Sequence, residues 1–249
     1  MRLRQVALAA TDLAGTVDLL TDVLGIEVGF RDPGVGVFGL ENAVMPVGET
    51  HLEVVSPVRD DATAKRWIEK RGGDSGYMVI LQCDDHDALD RESARAQETG
   101  AKVVWQGEHH GARTVHFHPR ELGAILSFDA MPTWDDWIWG GPDWRDHVRT
   151  ATTTAITGVE LESPDPGHLA ARWGEVLGIA PQPAADGQPA ILLPRGGRLD
   201  FVPSEGGEGV SGVALSLADA TRFAQRARAR GVLGADGAAT IAGTRFFAS

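Results

Sequence analysis

Cysteine is nearly absent from this sequence. Cys83 stands alone, so no disulfide can close within the chain and a reducing compartment fits. Cationic residues are also scarce: 23 Lys and Arg face 35 Asp and Glu, a formal net charge of −12. Such a chain is repelled by nucleic acid and by anionic membrane, which argues against both as partners. Long apolar runs are missing, and no stretch approaches the ~18 residues that a spanning helix needs. The opening MRLRQVALAATDL reaches Asp12 too soon for a signal peptide, so the cytoplasm is the expected location. Catalytic and phosphate-binding signatures are lacking too: there is no G-x-S-x-G elbow, no P-loop and no Rossmann fingerprint. The glycine-rich PRGGR at 194–198 and SEGGEG at 204–209 read as hairpin turns, since neither joins a strand to a helix N-terminus.

What the sequence has in quantity is turns, with 31 Gly and 13 Pro, as befits short strands in series. It also has a long-range likeness between two of its own segments. VALAATDLAGTVDLLTDVLGIEV from Val6 and VELESPDPGHLAARWGEVLGIAP from Val159 share Val6/Val159, Leu8/Leu161, Asp12/Asp165, Val23/Val176, Leu24/Leu177, Gly25/Gly178 and Ile26/Ile179 without a gap. A likeness at this distance reads as duplication of one supersecondary unit. Each copy predicts an apolar strand, a turn at Asp, and a helix stopped by Gly in the left-handed conformation.

Extended along the chain, this reading gives four βαβββ units paired two and two. Residues 1–58 hold the first, with predicted strands IEVGF, VGVFGL and HLEVVSPV after the helix. ATAKRWIEKRGG is a helical connector, and residues 75–131 form the second unit, from GYMVILQC to GAILSFDA. Residues 132–151, with Trp134, Trp137, Trp139 and Trp144, are the expected linker between a first domain (1–131) and a second, degenerate one (152–249). The latter divides into units 152–204 and 208–249, and the chain stops about where a final strand of a full unit is expected.

VALAATDL followed by LLTDVLGIEV, and HFHPRELGAILSF near position 120, resemble the opening strand–helix and the closing hairpin of the vicinal oxygen chelate superfamily. That superfamily includes glyoxalase I, methylmalonyl-CoA epimerase, extradiol dioxygenases and the bleomycin- and fosfomycin-resistance proteins. The resemblance covers about 1–130 well and 155–249 more loosely. It implies an α+β fold in which the four units pair into two cupped, mostly antiparallel sheets, with a ligand site in the cup.

Members that use a divalent metal draw its ligands from the first and last strands of paired units. The resemblance places those positions at Gln5, Glu53, Met78 and Ser127. Gln5 and Glu53 match what such enzymes use, whereas a thioether and a hydroxyl make a poor site for a transition metal. A shift of two residues in the last strand offers Asp129 instead of Ser127, which keeps a metal set of Gln5, Glu53 and Asp129 open. In the second domain the positions fall on Gly158, Asp200 and Gly212, a single carboxylate. No cofactor is therefore assigned, and a divalent metal remains open.

Strand periodicity puts His51, Glu53 and Val55 on one face, and Gln5 and Ala7 on one face. If these look into the cup, Glu53 is either a hydrogen-bonded polar partner of Gln5 or a general base whose pKa is raised by burial. Gln5, His51, Met78, His116 and Ser127 are expected to line the cleft. His116 and His118 alternate on a predicted strand and so offer a non-family chelate, against which stands the family's His-Pro turn at His118-Pro119. His109-His110 reads as a solvated hairpin. The tryptophans of 132–144 either line a ligand cleft or cover a joint between domains, and packing is the favoured role. Trp67 and Trp173 read as helix core, and Cys83 as a small buried hydrophobe.

Three functions follow. One is a metal-free protein that binds a small organic molecule in the cup. Another is a metal-dependent lyase, epimerase or ring-cleaving dioxygenase using Gln5 and Glu53. The third is a metal-independent enzyme with Glu53 as general base. Either a monomer or a homodimer fits.

Overall fold

The computed structural model describes residues 1–249. Along the first half the elements are β1 (Arg2–Ala9), α1 (Leu13–Leu24), β2 (Leu40–Val47), β3 (Thr50–Pro57), α2 (Thr63–Arg71), β4 (Ser75–Gln82), α3 (His86–Glu98), β5 (Val103–His109), β6 (Ala112–Phe117) and β7 (Ile125–Ala130). The second half continues with β8 (Thr153–Ser163), α4 (Pro166–Leu177), β9 (Gln182–Pro183), β10 (Pro189–Leu192), β11 (Arg198–Pro203), β12 (Gly209–Leu217), α5 (Ala220–Ala229), β13 (Ala239–Ile241) and β14 (Thr244–Ala248). The fold is α+β, with two seven-stranded sheets ordered β2-β3-β1-β4-β7-β6-β5 and β13-β14-β12-β8-β11-β10-β9. Both are mixed. β1/β3, β4/β7, β8/β11 and β12/β14 run parallel, while the hairpin neighbours run antiparallel. No helix is long and apolar enough to cross a membrane.

Local chemistry explains the helix boundaries. Asp12 accepts the Gly15 N–H and Asp165 accepts the His168 N–H, so each of α1 and α4 starts at an aspartate cap. Both stop at a left-handed glycine, Gly25 (φ 68°) and Gly178 (φ 65°), a conformation that a Cβ would strain. On α1 the buried Leu13, Val17, Leu20, Val23 and Leu24 form one stripe, and the helix packs on β2 and β3. Each such side chain removed from water contributes roughly 1.5–3 kcal/mol before entropy is counted.

The chain divides into two compact units. One comprises Met1–Arg4, Met78–Ile138 and Gly158–Val210, and in it α3 packs on α4. The Arg95 guanidinium reaches across to the Leu177 carbonyl at 2.6 Å, and Trp173, fully buried, donates to the Leu122 carbonyl at 2.9 Å. The other comprises Gln5–Tyr77, Trp139–Thr157 and Ser211–Ser249. There α1 packs on α5, Arg226 donates to the Asp22 carbonyl at 2.8 Å, and Arg230 bridges Asp18 and Asp22. Trp67 is buried as expected, its indole N–H shared by Ser75 Oγ and the Gly76 carbonyl.

Two expected strands are absent. IEVGF is a coil whose last two residues, Gly29 and Phe30, donate their N–H groups to the Val44 carbonyl of β2. VGVFGL begins as a 3-10 helix, Pro33–Phe38, because Asp32 caps the Gly34 N–H and Pro33 sets the first turn. The strand that pairs with β3 is instead Leu40–Val47, which brings Asn42 into the sheet. His118 also leaves the strand: β6 ends at Phe117, and the His118 Nδ1 accepts the Arg120 N–H at 3.0 Å. The ring caps a turn and is not part of a chelate with His116.

Candidate functional site

Register decides which side chains share a face. β1 pairs with β3 so that Gln5 lies beside His51 and Ala7 beside Glu53, and β2 sets Val44 beside Glu53 and Asn42 beside Val55. Partners across a ladder point the same way, so Gln5, Asn42, His51 and Glu53 belong to one face. Glu53 is flanked diagonally on both sides. Gln5 Nε2 donates to Glu53 Oε2 at 2.8 Å, and Asn42 Nδ2 donates to Glu53 Oε1 at 2.7 Å. The Asn42 amide is not free to turn, because its Oδ1 accepts the Asp32 N–H at 2.8 Å. Burial raises the Glu53 pKa above the ordinary 4.5, against the lowering effect of the two amide donors, and Asp32 adds a small push in the same direction as burial. Tyr77 titrates upward to about 12, first through burial and then through the charge of Glu53.

His51 is fully buried, with its ring edge-on to Trp144 at 4.8 Å between centroids. Gly140 lies against it so closely that a Cβ there would sit 2.8 Å from His51 Nε2. The tryptophan-rich segment thus covers His51, and the imidazole meets packed aromatic and backbone atoms. Glu27 receives His147 Nδ1 at 2.7 Å and Arg149 Nη2 at 2.8 Å, which ties the end of that segment down.

The remaining sequence candidates, Met78, His116, Ser127 and Asp129, lie in the other unit. Ser127 donates to Asp129 Oδ2 at 2.6 Å. Its only proton being spent there, Thr114 Oγ1, 3.0 Å away, is the donor to Ser127. His116, cross-strand neighbour of Ser127, has its pKa driven down to about 4 by burial and stays neutral at physiological pH. Met78 pairs with Ile125 in register and is buried. Trp134 and Trp137 of the tryptophan-rich segment take Arg2 and Arg4 over their rings, at 4.2 and 5.4 Å. Cys83 is buried, and burial pushes its thiol well above the usual range, which suits a packed hydrophobe rather than a nucleophile. Asp200 is engaged by Arg198.

Asn42 is the site residue that sequence reasoning missed. Its signal lay in ENAVMPV, whose apolar run Ala43–Val47 reads as a buried strand, but the neighbouring VGVFGL competed for the same slot.

The model of the Glyoxalase/Bleomycin resistance protein/Dioxygenase superfamily matches residues 2–130. The chain belongs to that superfamily. Among solved structures, a mutant 4-hydroxymandelate synthase from Streptomyces coelicolor aligns over 93% of this chain and 75% of its own, with a TM-score of 0.70 at 17% identity. An Mn(II)-bound glyoxalase from Novosphingobium aromaticivorans aligns over 92% and 70%, with a TM-score of 0.62 at 18% identity. A methylmalonyl-CoA epimerase variant from Streptomyces coelicolor, in complex with 2-nitronate-propionyl-CoA, covers 53% of this chain and 95% of its own (TM-score 0.47, 19% identity). At these identities the first two likenesses establish the fold of cupped sheets and leave the chemistry to this chain's own residues. No curated protein matches the sequence.

The superfamily implies a divalent metal, and the residues here do not fit one. The four corresponding positions carry an amide, a carboxylate, a thioether and a hydroxyl. The amide N–H₂ of Gln5 is aimed at Glu53, and the Ser127 proton at Asp129. No group of three His, Cys, Asp or Glu side chains is arranged to hold an ion.

Proposed function

We propose that this protein binds a small organic molecule on the sheet face bearing Gln5, Asn42 and Glu53, without a resident divalent metal. The observation that carries this reading is the seating of Glu53. Both of its oxygens are satisfied by neutral amides, and its carboxyl is biased by burial toward the protonated form. A carboxyl so placed presents a hydrogen-bonding group to a ligand instead of an open anion to a cation. The two-domain division at the tryptophan-rich segment rests on the sheets, one formed within residues 2–130 and the other within 153–248, whereas each compact unit draws on both halves of the chain.

The test is elemental analysis of purified protein, followed by a thermal-shift screen of small organic acids, alcohols and ketones after dialysis against chelator. Ligand-induced stabilisation that survives chelation and is lost in Glu53→Gln supports the reading. Near one equivalent of a transition metal, with binding that needs it, overturns the reading in favour of a metal-dependent lyase, epimerase or dioxygenase.

A second reading is favoured by the same raised pKa: Glu53 as a general base for proton transfer on a small substrate, oriented by Gln5 and Asn42. It predicts turnover that survives chelator, follows the ionisation of Glu53, and disappears in Glu53→Gln.

A further inference from the structure

Helix α5 and its C-cap carry Arg222, Arg226 and Arg230 at four-residue spacing, so the three stand in one row on one face. Like charges so placed repel one another and need partners to offset them. On α1, which packs on α5, Asp18 and Asp22 form the matching row. These rows border a cavity of about 650 Å³, within the roughly 300–1,000 Å³ typical of small-molecule sites. Arg149 lines it as well, so four arginines and two aspartates meet there in a chain of net charge −12. All of them belong to the compact unit that comprises Gln5–Tyr77, Trp139–Thr157 and Ser211–Ser249.

The carboxylates do not serve the arginines evenly. Asp18 and Asp22 both pair with Arg230. Arg149 is held by Glu27 and by the carbonyls of Asp146 and Val148. Arg226 is bonded to no carboxylate: its protein acceptor is the Asp22 carbonyl, 2.8 Å from Nη1. Arg222 meets Asp219 through Nε at 3.4 Å, and its side chain is 49% exposed. The two Nη groups of Arg222, with Nε and Nη2 of Arg226, are left as donors to whatever fills the cavity.

The wall at the end of α1 suits an anion too. Gly25 stops that helix at φ 68°, and a Cβ there would sit 2.6 Å from Thr152 Oγ1 and 3.0 Å from Arg226 Nη1. The glycine thus leaves the room in which the Arg226 guanidinium lies. Bare carbonyls at a helix C-terminus repel an anion, but Arg226 covers that of Asp22, and Thr153 Oγ1 donates to that of Leu24 at 2.8 Å. Arg222 and Arg226 are about one turn apart, roughly 6 Å along the axis, so both forks can converge on one tetrahedral oxyanion.

We infer that this cavity is a phosphomonoester-binding site. Arg222 and Arg226 hold the phosphate of a small phosphorylated molecule, and the rest of the volume takes its organic part. Three terminal phosphate oxygens accept from two guanidinium forks more fully than the two oxygens of a carboxylate. Arg230 has a positioning role, since it engages Asp18 and Asp22, which would otherwise repel the anion. The site shares no residue with the Gln5, Asn42 and Glu53 group, and neither reading depends on the other.

Calorimetric titration at fixed ionic strength tests this, with inorganic phosphate, glycerol 2-phosphate and glycerol as probes. Both phosphates are expected to bind, and glycerol is not. Arg222→Gln and Arg226→Gln are each expected to weaken binding about tenfold, the size of one lost charge-assisted hydrogen bond. Arg222→Lys keeps the charge, loses the fork and should weaken binding as well. Arg120→Gln removes the same charge from an exposed position in the other compact unit and should change nothing. Arg226 also ties α5 to α1, so melting curves check the fold of each variant, and the exposed Arg222 decides the matter if Arg226→Gln is unfolded. Binding of neither phosphate, binding of inorganic phosphate alone, an equal loss in Arg120→Gln, or unchanged affinity in Arg222→Gln overturns the inference.

Discussion

Asn42 holds Glu53 from the neighbouring strand, and it can do so only in one orientation, because its own carbonyl is taken by the Asp32 N–H. A main-chain group thus sets the direction of a buried side-chain amide, and that amide sets the direction of the carboxyl. Gln5 repeats the contact from the opposite flank. The carboxyl is fixed in place by two neutral donors, while burial works against its charge.

A pH dependence follows, and its sign is determined. The folded-state pKa of Glu53 lies above the unfolded value near 4.5, so between those two values the native state binds more protons than the unfolded chain. Glu53 therefore adds stability that is present in full below 4.5 and is lost as pH rises through the folded pKa. Urea denaturation at stepped pH should show this as a negative slope of at most about 1.4 kcal/mol per pH unit. Glu53→Gln should flatten it. Asn42→Ala removes a donor that favours the anion and should move the loss to higher pH; an unchanged profile in both variants would contradict the seating described.

The general plan was legible in the sequence because it rests on local signals. Asp12 and Asp165 mark helix starts, Gly25 and Gly178 mark helix ends, and period two in HLEVV puts His51 and Glu53 on one face. What the sequence hid was non-local. Nothing in ENAVMPV says that Asn42 will meet Glu53, since that depends on a 3-10 turn at Pro33 displacing the predicted strand and setting the β2 register. The burial of His51 under Trp144 was hidden for the same reason, because a segment some ninety residues away covers it. The assignment of His118 to a strand failed because Pro119 favours a turn start, where the ring becomes a cap.

His116 gives a slope of opposite sign. Burial takes its pKa from 6.5 down to about 4, so between those values the unfolded chain binds more protons than the native state. Stability is therefore lost as pH falls from 6.5 toward 4. In proton NMR the His116 ring resonances should not move between pH 8 and 5.5. His116→Phe should weaken the acid-side loss measured by denaturation. A His116 midpoint near 6.5 would mean that the ring is solvated.

Gly140 and His51 form a packing pair that tolerates no added methyl. With a Cβ placed 2.8 Å from His51 Nε2 and the imidazole fully buried, neither partner can retreat cheaply. Gly140→Ala should cost about 1–3 kcal/mol, the usual penalty of overpacking. His51→Ala makes room, so the double variant should be more stable than the sum of the two single losses predicts. Additive losses would show that the segment carrying Gly140 does not press on His51 in solution.

Ser127, Thr114 and Asp129 make a chain in which each hydroxyl depends on the next acceptor. Removing the carboxylate in Asp129→Ala leaves one buried hydroxyl proton without its acceptor, and an unmade buried hydrogen bond costs about 1–3 kcal/mol. Thr114→Val keeps shape and removes only the outer donor, so its cost should be smaller. The decisive quantity is the coupling between them. If Thr114 donates to Ser127 because Ser127 is committed to Asp129, loss of Asp129 frees the Ser127 proton to turn toward Thr114, and the second substitution then removes a different bond. A double-mutant cycle should therefore give a coupling energy of about 0.5–3 kcal/mol, as expected for groups in one network. A coupling near zero would mean that the hydroxyls act independently and that the direction of the chain is not set by Asp129.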